Sequence, residues 1–162
     1  MKYTYFCLLA LLTVFACQSP QSKDTDTAKL ISRIDSLEKQ VQNSYKPGFG
    51  EFMSSIQVHH EKLWFAGINA DWELADFEIT EIKEAVGDIE KFNADRPESK
   101  DVNMLYPVLD SLSHSISQQD VPAFKASFTT LTQTCNSCHR ITDHAFNVIT
   151  IPSTPPFSNQ KF

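Results

Sequence analysis

This chain has no basic patch, no glycine-rich loop and no internal repeat, and each absence removes a class of function. Acidic residues outnumber basic ones and the formal net charge is −6. Nothing clusters to neutralise a phosphate backbone, so nucleic-acid binding is excluded. With four glycines in 162 residues, no loop is built to cradle a nucleotide phosphate. No acid/base pair or substrate-pocket signature points to catalysis, and the expectation is that the protein is not an enzyme. Past residue 16 the apolar stripes are too narrow for a membrane span. The length suits one domain and is too short for two good cores.

What is present starts at the N-terminus. Residues 6–16 (FCLLALLTVFA) are almost purely apolar. The run is too short to cross a bilayer and matches the core of a secretory signal. It ends at Val14-Phe15-Ala16-Cys17, which resembles a bacterial lipobox, with Phe15 bulkier than the usual residue. The expectation is a signal peptide over 1–16, cleavage before Cys17, and lipidation of the Cys17 sulfur. That places an exported, membrane-anchored lipoprotein on the periplasmic side or cell surface, since several acyl chains hold stably. The polar stretch 17–27 reads as a tether.

From residue 28 the apolar residues recur at helical spacing. Leu30, Ile34, Leu37 and Val41 form a heptad-like stripe in an amphipathic helix over 28–46. It serves to pack on the main domain, to space it from the membrane, or to pair with a second copy as a homodimer. A break at Lys46-Pro47-Gly48 opens the main domain. Four amphipathic segments follow within 47–142. The first spans about 48–66, with Met53, Ile56, His60, Leu63 and Trp64 on its apolar face. The second spans about 71–92, and the third about 102–117 with Pro107 near its start. The last begins after Asp120, an N-cap followed by Pro122. Its stripe runs through Phe124, Phe128, Leu131, Cys135 and Cys138. Residues 143–162 are a Pro-rich extended tail, β-prone over 146–151. The fold class is therefore all-α: a four-helix up-down bundle with an extra N-terminal helix and an extended tail.

The cysteines carry the chemistry. Of four, Cys7 leaves with the signal and Cys17 takes the lipid. The remaining two stand in Cys135-Asn136-Ser137-Cys138-His139, the attachment pattern of haem c. Two thiols add to two vinyl groups along one porphyrin edge, and the following His ligates the iron from below. A thioredoxin-like pair would sit at a helix N-terminus within a βαβ unit. A zinc site would need a second ligand pair. A disulfide across Cys-x-x-Cys inside a helix would be strained.

A helical domain of this size with one CNSCH near the end of its last helix resembles the cytochrome c-prime family, the class II c-type cytochromes. The resemblance covers about 48–142. It implies one haem c between the helices near one end of a four-helix bundle, with the first bundle helix facing the iron's distal side. Antiparallel packing would bring Met53 to the height of His139. A Met thioether opposite a His saturates the iron and raises the potential. His60 is the alternative distal ligand, about 10 Å further along the helix. If neither ligates, the iron is five-coordinate. Trp64, Phe65, Trp72 and Phe77 are either haem-lining or ordinary core. The first expectation is a membrane-tethered one-electron carrier whose acidic surface suits a basic redox partner. A gas-binding or sensing haem protein for nitric oxide or carbon monoxide, and a structural lipoprotein without haem, are the alternatives.

Overall fold

The computed structural model describes residues 22–42, 44 and 46–162. The expected signal segment 1–16 and expected lipidation site Cys17 lie outside the described residues. Among the described residues, all regular structure is helical and no strand forms. None of the described helices is long and apolar enough to cross a membrane.

Helix α1 (Ser22–Gln42) lies in one compact unit, and residues from Lys46 onward form another. It starts earlier than residue 28 because no Pro or Gly interrupts 22–27, so the helix runs on into part of the expected tether. Its stripe of Leu30, Ile34, Leu37 and Val41 is exposed.

The second unit contains α2 (Phe49–Ile68), α3 (Trp72–Phe92), α4 (Tyr106–Ser117) and α5 (Val121–Ile141). Each helix packs on the next, and α5 returns against α2, closing a helical bundle. Two short 3-10 turns, Pro97–Lys100 and Val102–Leu105, join α3 to α4. The second turn takes the residues expected as the start of the third bundle helix, 102–117. Pro107 then falls in the first turn of α4, where its missing N–H costs nothing.

The two tight connections use the same device. After α2 the N–H of Asp71 bonds the Ala66 carbonyl at 2.9 Å, and that of Ala70 bonds Gly67 at 3.3 Å. After α4 the N–H of Asp120 bonds Ser115 at 3.1 Å, and that of Gln119 bonds Ile116 at 2.9 Å. These are Schellman endings, with Ala70 (φ 59°) and Gln119 (φ 55°) in the left-handed region usually given to glycine. Each Asp then caps the next helix: Asp71 Oδ1 accepts from Leu74 N–H at 3.2 Å, and Asp120 Oδ1 from Ala123 N–H at 3.0 Å. Three residues thus stop one helix and start its antiparallel neighbour.

The core is one cluster contributed by all four bundle helices. Phe124, Phe128 and Leu131 of α5 are buried against Leu63 and Ala66 of α2, Ile79 and Ile82 of α3, and Leu109 and Leu112 of α4. The first bundle helix was expected to end near residue 66, before Gly67. Gly67 lies inside α2 instead, and a Cβ there would overlap the Phe124 ring. The missing side chain is what lets that ring reach the α2 backbone.

The tail forms no strand over 146–151, since no sheet edge is available to pair with. It returns along the bundle, bringing Phe162 to 5.7 Å from the Phe65 ring and Phe157 under the Lys62 ammonium at 5.4 Å.

Candidate functional site

A cavity of about 310 Å³ opens where the N-terminal part of α2 faces the C-terminal part of α5. That is the low end of the roughly 300–1,000 Å³ typical of ligand pockets. Phe49, Met53, Ile56 and His60 of α2 form one wall, and Val102 and Leu105 of the second 3-10 turn form another. Cys135, Cys138 and His139 line it from α5. Cys138 and His139, three and four residues after Cys135, both lie beside it on the helix surface. The tail supplies His144, Asn147 and Ile149.

The His139 ring is fixed through one nitrogen. Its Nδ1–H donates to the Asn147 carbonyl oxygen at 2.6 Å. A carbonyl only accepts, so Nδ1 carries a proton, and Nε2 is left as the nitrogen through which this imidazole would bind a metal.

Both thiols are free. Burial, with Cys138 alongside, pushes the Cys135 thiol up to about 12. Burial and the charge of Asp101 also raise Cys138. Neither is the low-pKa thiolate that a thioredoxin-like pair requires. Among the described residues, no three His, Cys, Asp or Glu side chains converge where a metal ion would sit.

On α2, His60 pairs with Thr132 and Trp64 with Phe128 of α5. That antiparallel register brings Met53 level with His139, and both line the cavity. His60 is differently engaged. The Thr132 hydroxyl donates to the Phe128 carbonyl at 3.0 Å, so it accepts from His60 Nε2–H at 2.9 Å. Its ring lies 4.4 Å from that of Phe128, and burial pulls its pKa down to about 4. His60 is therefore a neutral wall residue whose Nε2 is already committed.

Arg96 and Glu98 stand at the rim as a forked ion pair, with Nη2–Oε1 at 3.0 Å and Nε–Oε2 at 3.3 Å. The hydrogen bond and charge of Glu98 raise the guanidinium pKa, and those of Arg96 lower the carboxyl. The guanidinium also sits 5.7 Å from the Phe49 ring.

The aromatic residues considered as haem lining are elsewhere. Trp64 and Trp72 pack on Phe124, Phe65 meets Phe162, and Phe77 is exposed. His59 points away from the cavity, to the buried Glu78 of α3 at 2.6 Å, which Lys62 also approaches at 3.7 Å.

Four residues of the site carried no sequence signal. Thr132 and Asn136 read as helix-surface positions, Arg96 as a loop charge, and Asn147 as part of an apolar tail. Comparison with known proteins returns no match: no family model, curated protein or solved structure aligns with this chain.

Proposed function

We propose that this chain is a monohaem c-type cytochrome, tethered to a membrane through a lipid on Cys17, that carries single electrons. One observation carries the reading. Cys135, Cys138 and His139 share a wall of a largely apolar cavity, and the His139 imidazole leaves Nε2 free. The donor set fits a haem c: two protonated thiols for thioether bonds, one imidazole held through Nδ1 for the iron, and apolar walls to exclude water.

A haem held there supplies a one-electron ferric–ferrous couple. The protein's part is to hold it and tune it. Cys135 and Cys138 fix one edge to α5. His139 serves as the proximal ligand and Met53 as the distal one, a pairing that favours the ferrous state. His60, bonded to Thr132, stays neutral and packs as wall. Arg96 at the rim offers a positive charge to haem carboxylates. The acidic chain suits a basic redox partner. The bundle with its motif late in the last helix is the arrangement implied by the resemblance to class II c-type cytochromes.

A gas-binding haem protein is the second reading. It is favoured by the Thr132 bond on His60, which withholds that nitrogen and leaves Met53 as the one distal candidate. If Met53 stays off the iron, Phe49, Ile56, Val102 and Leu105 make a dry pocket for a small neutral ligand.

Optical spectra of the exported protein, oxidised and reduced, with and without carbon monoxide, separate these. The carrier predicts a Met-to-iron charge-transfer band that Met53→Ala abolishes. Immediate uptake of carbon monoxide by high-spin ferrous protein would select the gas-binding reading. A missing Soret band, with intact haem-attachment machinery, would remove haem altogether.

A further inference from the structure

Past the end of α5 the chain doubles back over the CNSCH motif. Asp143 takes a left-handed conformation (φ 62°), and the His144 N–H bonds the His139 carbonyl at 2.7 Å, which reverses the chain. Two residues of the motif then grip the returning segment. The Asn136 amide donates to the Ile149 carbonyl at 2.8 Å and accepts the Ile149 N–H at 2.8 Å. This two-bond pairing is what a neighbouring strand would provide, supplied here by one side chain. Between these anchors, Asn147 presents its carbonyl to His139 Nδ1 at 2.6 Å. Ile149 is half-buried at the cavity wall while Phe146, Asn147 and Val148 are exposed, so Asn147 meets the site through its backbone carbonyl.

We propose that residues 143–149 are a strap that positions the proximal ligand, with Asn136 as its latch. This rests on the haem reading of the site. The Asn147 N–H also bonds the His144 carbonyl at 2.9 Å, which holds the near side of the strap; the latch is what ties its far side to α5. With it, the carbonyl is fixed before any iron binds. A strong acceptor on Nδ1–H makes Nε2 a better donor, which favours ferric iron and lowers the potential. The strap therefore opposes the upward pull of a Met53 ligand. Asn136 and Asn147 are positioning residues that act through His139.

The test is redox titration of haem-loaded protein, full chain, with haem content measured on each sample. Asn136→Ala removes both latch bonds. It should keep its haem, and its oxidised-to-reduced ratio at a fixed ambient potential should fall by about three- to tenfold, the latter being 59 mV for one electron. With Met53→Ala also present, so that the ferrous iron is five-coordinate, Asn136→Ala should shift the iron–imidazole stretch to lower frequency. Asn136→Asp keeps the acceptor for Ile149 N–H and should give a smaller change of the same sign. It decides the matter alone if Asn136→Ala does not retain haem. Ser137→Ala, the other residue between the cysteines, loses a bond to the Gln133 carbonyl and one from Arg140 Nη2, both within the helix and neither to the strap, and should leave the potential unmoved. A loaded Asn136→Ala with unchanged potential and unchanged stretch overturns the strap and leaves the cytochrome reading standing. A wild-type chain that takes up no haem overturns both.

Discussion

The two ends of the bundle are built on opposite principles. At one end Trp64, Trp72, Phe124 and Phe128 fill the space between the helices, and Gly67 gives up its side chain so that Phe124 can touch backbone. Both three-residue turns close this end. At the other, the same helices diverge around a cavity whose walls are Met53, Ile56, Leu105 and the cysteines. Atoms facing a cavity lack dispersion partners on one side. The filled end therefore supplies the stability that lets the open end stay open. The CNSCH motif lies where packing is weakest, and the hairpin turns lie where it is strongest.

The largest effect should come from emptying the filled end. Phe124→Ala deletes a fully buried ring and should cost about 3–5 kcal/mol in urea unfolding. Ile56→Ala at the open end removes atoms that already border a cavity, so it should cost about 2 kcal/mol at most. Equal costs would end the contrast between the two ends.

Acid should act next, and from the middle of the bundle. Burial holds His60 near a pKa of about 4, against 6.5 when unfolded. Between those values the unfolded chain binds the proton and the folded chain does not. Stability should thus be unaffected by this group above pH 6.5, fall as pH drops toward 4, and fall no further below. The loss should reach about 3 kcal/mol. His60→Gln, which keeps a donor for Thr132, should flatten that part of the pH profile of unfolding. Binding of His60 to iron would also flatten it in the loaded protein, and so would reveal the alternative distal ligand.

Filling Gly67 is the third perturbation. Gly67→Ala should cost about 1–3 kcal/mol through the clash with Phe124. Phe124→Leu in the same chain should recover part of it, a coupling that urea unfolding of the single and double variants would measure.

Gly67 also shows where sequence reading stops. Glycine near the end of an apolar stripe looks like a helix terminus, and only the ring arriving from α5 explains why α2 continues through it. Local signals were otherwise informative. The stripes locate the four bundle helices, Asp120 with Pro122 marks the start of α5, and CNSCH names the wall of the cavity. Contacts between residues distant along the chain were not legible. Glu78 reads as a surface charge until His59 and Lys62 close over it. Asn136 is a free position in a Cys-x-x-Cys pattern until the tail returns to it. The tail has no periodicity, so its docking is set entirely by partners elsewhere.

The smallest effects test the turns, and they compare the two ends most directly. Ala70 closes the filled end and Asp143 opens the strap at the other, both in the left-handed region. A non-glycine residue there costs about 1–2 kcal/mol, and glycine returns part of that to the unfolded chain as entropy. Ala70→Gly should therefore stabilise by about 0.5–1 kcal/mol, whether or not haem is bound, because its helix end is fixed by the packed core. Asp143→Gly should give the same gain only where the strap is docked when unfolding begins. If haem is what completes the open end, the gain should appear in loaded protein and shrink in haem-free protein, with Ala70→Gly as the internal standard. An equal gain in both forms would mean that Asn136 and Ile149 hold the strap unaided, and that the proximal side is preorganised before haem arrives.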